Sequence, residues 1–186
     1  MTLTQDAAAA ALREIDAAQA QSRALFNYSK ASPYLVLWGT LWVAVGVMTA
    51  ASPANTGWFW LVADLIGFAA CIYFIRRDRP KVSQPRTLAT FRFVGIALVI
   101  AGFFAAVQAL FGPATGTQTM ALAALMVSAI YMGMGLWVGA RYVAIGLLLL
   151  ALTFVGVFVV PDQAVAFISV AGGLTLALGG LWMRRA

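Results

Sequence analysis

The stretch GWFWLVADLIGFAACIYFIRRDRPKVSQPR, Gly57 to Arg86, joins two unlike halves. Gly57–Ile75 is a run of nineteen residues with one ionisable carboxylate, Asp64; the remainder carries Arg76, Arg77, Arg79, Lys81 and Arg86. A helix of about 20 mainly apolar residues crosses a hydrocarbon core about 30 Å thick, so the first half has the length of a membrane span. The second half is the kind of basic loop that resists translocation and holds its side of the membrane in the cytoplasm.

Working outward from this stretch, the same length and polarity recur. The chain has 186 residues, is 63% hydrophobic and 10% charged, and has a mean hydropathy of +0.91, far from the composition of a soluble domain. Six segments read as spans: 33–51, 57–75, 88–111, 117–138, 141–160 and 163–183. No segment alternates apolar and polar residues as the strands of a membrane barrel do. The expected fold is therefore an all-α membrane protein, its six transmembrane helices arranged as three hairpins and preceded by an N-terminal cytoplasmic helix.

Charge sets the orientation. Every one of the twelve Lys and Arg residues falls at the same side of this span pattern: Arg13, Arg23 and Lys30 before the first span, the five of the loop, Arg92 just inside the third, Arg141, and the Arg184–Arg185 pair. The connections 52–56, 112–116 and 161–162 hold none. The positive-inside rule then predicts a multi-pass protein of bacterial inner-membrane type with both termini cytoplasmic. The net charge of +6 does not indicate nucleic acid, because these residues mark helix ends and do not track a phosphate backbone. Arg76, Arg77, Arg79, Lys81 and Arg86 read either as a topology determinant or as a patch for anionic lipid or an acidic partner, each cation contributing about 1 kcal/mol near a charged leaflet.

Residues 1–32 form a polar leader ahead of the bundle at 33–186. Thr2 or Thr4 can cap a helix, and AAAAALREIDAAQAQ has high helix propensity. Leu12, Ile15, Gln19, Ser22 and Phe26 follow steps of three and four, a modest amphipathic face that suits the membrane surface, a second copy of the chain, or a solvated helix leading into span one. No apolar core segment of a cleavable signal peptide is present in these first thirty residues, so the first span is expected to direct insertion.

Landmarks of the first and last hairpins share one offset. Tyr34, Pro53 and Arg76 are each followed 108 positions later by Tyr142, Pro161 and Arg184. Pro113 marks the middle turn, but the return helix there reaches Arg141 later than its counterparts would, so two hairpins match and one is stretched. With Gly39 and Gly46 in YLVLWGTLWVAVG and Gly172 and Gly179 in AGGLTLALGG, the region from about 33 to 185 resembles the HdeD-type acid-resistance membrane proteins. That resemblance implies a small inner-membrane protein connected with stress and brings no catalytic residues; the polar leader and stretched middle hairpin depart from the pattern.

The residues available for chemistry are few. Without histidine there is no imidazole base and no bis-His haem or ordinary zinc site, and no cofactor is expected. Lys30 and Lys81 lie outside the spans, no nucleophile elbow or phosphate loop occurs, and the lone Cys71 reads as a buried apolar thiol. An enzyme is not expected. Within the spans Asp64 is the one acidic residue, and holding a carboxylate at that depth costs about 2.5–3.5 kcal/mol on insertion scales. Gln108, Thr153 and Ser169 come to a similar depth and are its candidate partners.

Of the aromatics, Trp58 and Trp60 suit one interface and Trp137 and Trp182 the other. Trp38 and Trp42, one turn apart, suit a ligand pocket, lipid or core. Gly173, Ala177 and Gly180, and Gly135 with Gly139, form small-residue faces for close helix contact. Two functions fit these features: a non-enzymatic, stress-related, regulatory or accessory membrane protein, or a small transporter or channel for protons, cations or a small solute using Asp64. Expected partners are membrane lipids, with a homo-oligomer or a membrane partner protein.

Overall fold

The computed structural model describes residues 5–77, 86–112 and 114–185, and among them the chain is helical with no strand. The elements are α1 (Gln5–Ala51), α2 (Thr56–Arg77), α3 (Arg86–Phe111), α4 (Gly116–Val138), α5 (Ala140–Phe158) and α6 (Ala164–Arg184), with 3-10 turns at Pro53–Asn55 and Pro161–Gln163. Each of the six contains a segment long and apolar enough to cross a membrane, the architecture of a multi-pass membrane protein. The boundary expected at residues 32–33 lies inside α1, which runs unbroken through Pro33. Proline removes one backbone donor there.

The helices stand in the spatial order α3–α2–α1–α6–α5–α4, with α4 also touching α6. Small residues explain why α6 is central. On one side Gly173 and Gly180 meet α1: a Cβ at Gly173 would strike the Gly39 carbonyl and the Val43 amide, and one at Gly180 would strike Leu35, Val36 and the Ser32 carbonyl. On the other, Gly172 and Gly179 receive Leu149 and Ile145 of α5. In lipid, where burying apolar surface gives helices no advantage over contact with acyl chains, such close approach and the dispersion contacts it brings supply the association energy. Val45, Leu149, Ile168 and Leu176 fill the core between these contacts.

Hydroxyls add polar links. Ser128 Oγ of α4 donates to the Gly146 carbonyl of α5 at 2.6 Å, a bond between helices worth about 0.6 kcal/mol in a bilayer. The α4–α5 connection is the single residue Gly139 at φ +140°, a conformation that L side chains rarely adopt; a Cβ there would also run into the Tyr28 hydroxyl.

The expected middle hairpin is not a packed pair. α4 spends its buried face (Met120, Ala124, Ser128, Gly135) on α5 and α6, whereas α3 has α2 as its chief contact. No described side chain of α3 is buried, and nothing among the described residues comes within 4 Å of a Cβ placed at Gly95 or Gly102. At the first and last hairpins the matched prolines do form matched turns: the Thr56 amide donates to the Pro53 carbonyl and the Ala164 amide to the Pro161 carbonyl.

Candidate functional site

Asp64 lies on α2, half-buried, at the flank of the face that α2 turns to α1. The centre of that face is Ala63, Gly67 and Cys71, all buried. Gly67 is small because the Trp38 ring of α1 lies directly over it. Helical spacing then places Trp60 and Phe68, four residues to either side, on the same stripe as Asp64.

Across the seam, α1 answers with aromatics at matching levels. Trp42 and Trp60 meet edge to face with ring centroids 5.6 Å apart and planes at 89°. Trp38 and Phe68 do the same at 5.5 Å and 77°, and Tyr34 with Phe74 at 5.7 Å and 89°. Such tilted pairs set the positive edge of one ring against the negative face of another and contribute about 0.5–1.5 kcal/mol each beyond area burial. The α1–α2 seam is thus an aromatic ladder, and Asp64 sits between its Trp60 and Phe68 rungs.

The structure does not gather Gln108, Thr153 and Ser169 around this carboxylate. Thr153 Oγ1 donates to the Leu149 carbonyl of its own helix at 2.8 Å, and α5 is two helices removed from α2. Ser169 Oγ donates to the Val165 carbonyl at 2.6 Å and lies 3.7 Å from the Met120 sulfur, with α1 standing between its helix and α2. Gln108 belongs to α3, the neighbour of α2, but its side-chain oxygen accepts from the Ala114 amide at 3.0 Å, bracing the turn before α4. The reciprocal Thr115–Gln118 capping box completes that turn. Equal depth identified these residues; their hydroxyls and amide find local acceptors and donors first, as short polar side chains in helices do. No hydrogen bond or ion pair joins Asp64 to another described residue.

Of the basic loop, Arg76 and Arg77 are exposed in the last turn of α2, where the helix dipole favours them. Arg79 and Lys81 lie outside the described residues, as does the side chain of Arg86, whose backbone starts α3. A different cation is the better held. Arg141 Nη1 donates to the Trp182 carbonyl at 3.0 Å near the end of α6, and its guanidinium lies 4.8 Å from the Trp182 ring and 5.3 Å from that of Tyr28. Tyr142 stacks on Tyr131 and tilts against Tyr28, each with centroids 5.8 Å apart. This ties α1, α4, α5 and α6 together at the basic end.

Only the spacing Trp38–Trp42 stood out in the sequence; Trp60, expected at a membrane interface, instead meets Trp42, and the four-residue steps Trp60–Asp64–Phe68 gain meaning only from the pairing of α1 with α2. Thr49 gave no signal at all: it is buried on α1 and its hydroxyl has no partner among the described residues. No group of His, Cys, Asp or Glu able to hold a metal occurs among the described residues. Compared with protein-family models, curated proteins and solved structures, the chain has no match.

Proposed function

We propose that the protein is a non-enzymatic integral membrane protein of bacterial inner-membrane type, stress-related and acting as a regulatory or accessory component, with both termini cytoplasmic. The observation that supports this best is the closure of the bundle. The seams of α6 with α1 and α5 are sealed by backbone contacts at Gly39, Gly173 and Gly180 and by side chains at Gly172 and Gly179, where a permeation path would need space. Beyond its membrane-length part, Leu25–Ala51, α1 extends back to Gln5 for about 30 Å, with Leu12 and Ile15 exposed, a helix suited to contacts outside the bundle. The link to stress rests on the HdeD-type resemblance of residues 33–185, and the orientation on the one-sided placement of Lys and Arg.

The transport reading has one observation of its own, the carboxylate of Asp64 at membrane depth without a hydrogen-bond or ion-pair partner among the described residues. Proteoliposome flux separates the two. Purified protein under imposed proton, Na+ and K+ gradients is expected to add nothing to the leak of empty vesicles. A wild-type flux abolished by Asp64→Asn, with the variant still folded, replaces the accessory reading by transport. Orientation is checked with single cysteines in a Cys71→Ser background: an impermeant reagent added to intact cells is expected to label Asn55→Cys and Asp162→Cys and to spare Ser83→Cys.

A further inference from the structure

Where α5 begins and α6 ends, positive charge gathers without an acidic neighbour. Arg141 stands in the first turn of α5 and lays its guanidinium on the end of α6, Nη1 donating to the Trp182 carbonyl at 3.0 Å. A guanidinium carries five N–H donors in a planar fork, and the other four find no acceptor among the described residues. The Trp182 and Tyr28 rings, 4.8 and 5.3 Å from its centre, hold that fork in place. Arg184 and Arg185, just beyond Trp182, are exposed and add two more charges. No side chain caps the start of α5, so its dipole has the same sign. The carbonyl end of α6 offsets only about half an elementary charge of this. Asp6, Glu14 and Asp16 precede Tyr28 on α1 by about 18 Å or more along the axis, and Asp64 and Asp162 belong to the outer half of the span pattern. Asp78 lies outside the described residues and follows α2, which α1 separates from α6.

The chemistry of the occupant follows from the level at which these charges stand. Trp182 is exposed at this end of α6 and Trp137 at the same end of α4, amphipathic rings of the kind that mark the headgroup layer. One to two turns deeper on α6, Leu178 and Leu181 are exposed to lipid. A ligand that uses the whole surface therefore has an anionic head at the arginines and apolar chains along the leucines, an arrangement that a soluble anion or an acidic peptide lacks. We propose that Arg141, Arg184 and Arg185, with Trp182, Leu178 and Leu181, bind the phosphate and upper acyl chains of one anionic phospholipid. Basic sites of this kind between helix ends recognise acidic headgroups. The site rests on the chain spanning a membrane and not on the accessory reading.

The test compares two lipids that differ only in headgroup charge. Full-length protein in an uncharged detergent is titrated with an equimolar mixture of dioleoylphosphatidylglycerol and dioleoylphosphatidylcholine, and the lipids retained per chain are counted by native mass spectrometry. One phosphatidylglycerol is expected to bind about tenfold or more tightly than phosphatidylcholine. Arg141→Gln is expected to lower that preference about fivefold, and Arg184→Gln together with Arg185→Gln about tenfold or more, with phosphatidylcholine retention unchanged. Arg76→Gln with Arg77→Gln removes two charges from the same end, but on α2, and leaves the preference as in wild type. Equal retention of the two lipids, a preference unchanged in folded Arg141→Gln, or an equal loss in the Arg76 and Arg77 variant overturns the site. Displacement of the lipid by millimolar inorganic phosphate would make the ligand a soluble anion, and displacement by micromolar hexaglutamate would make it an acidic protein; either overturns it too. Should Arg141→Gln fail to fold, the pair Arg184 and Arg185, exposed at the chain end, decides by itself.

Discussion

The two seams that α1 makes are built on opposite principles. Toward α6 it presents Gly39 and Gly46, and backbone meets backbone. Toward α2 it presents Tyr34, Trp38 and Trp42, and ring meets ring. Backbone contact is rigid and leaves no room for an added atom. Aromatic contact is looser at its margins, because ring edges tilt and slide, and it is at such a margin that the one intramembrane carboxylate resides. The lesson is that a single helix makes one seam of small residues and backbone contact on one face and one seam of aromatic rings on another.

The sharpest way to break that contrast is to add one methyl group at each seam. Gly173→Ala places a Cβ against the Gly39 carbonyl and the Val43 amide, atoms that cannot rotate away, so a loss of about 3 kcal/mol or failure to fold is expected. Thermal unfolding in detergent measures it, and a melting curve equal to wild type would show that α1 and α6 are not in backbone contact. Next in size is Gly139→Ala, where both φ +140° and the Tyr28 hydroxyl oppose a side chain; about 1–3 kcal/mol is expected. Adding Tyr28→Phe to that variant recovers the part due to the hydroxyl and leaves the part due to the backbone, which a double-mutant cycle separates.

On the aromatic side the same methyl costs less. Gly67→Ala meets only the outer atoms of the Trp38 ring, which can tilt, and a loss of about 1 kcal/mol is expected. A cost equal to that of Gly173→Ala would mean that the two seams are equally rigid. Smallest, and opposite in sign, is Gly102→Ala on α3, where no atom of the described residues lies near the new methyl and the gain in helix propensity is about 0.8 kcal/mol or less. Thr49→Val belongs with it: removing a buried hydroxyl that has no partner among the described residues, at nearly constant volume, is expected to leave stability unchanged or raise it by about 1 kcal/mol.

Much of the architecture was written locally. A run such as Gly57–Ile75 satisfies its backbone only as a helix and matches the membrane in length, so helix count, spans and turns follow from composition along the chain. Gly173, Gly180 and Gly135 signalled close packing for the same reason, since a missing side chain is visible in the sequence. The matched prolines at Pro53 and Pro161 likewise led to matched 3-10 turns. The leader was legible as helix, though not as the continuous start of α1, because proline tolerance inside a helix depends on what surrounds it.

What the sequence alone determined about this protein is that it consists of six membrane-length helices, with one carboxylate set deep in the second. What only the tertiary structure decided is which helices meet. Depth along the membrane follows from counting residues, and it made Gln108, Thr153 and Ser169 candidates for Asp64; lateral order does not, because in lipid every apolar face is an acceptable neighbour for acyl chains and only small differences in packing choose among them. The order α3–α2–α1–α6–α5–α4 removed Thr153 and Ser169 from Asp64 and set the tryptophans of α1 along its seam, while Gln108, on the neighbouring helix, is engaged by the Ala114 amide.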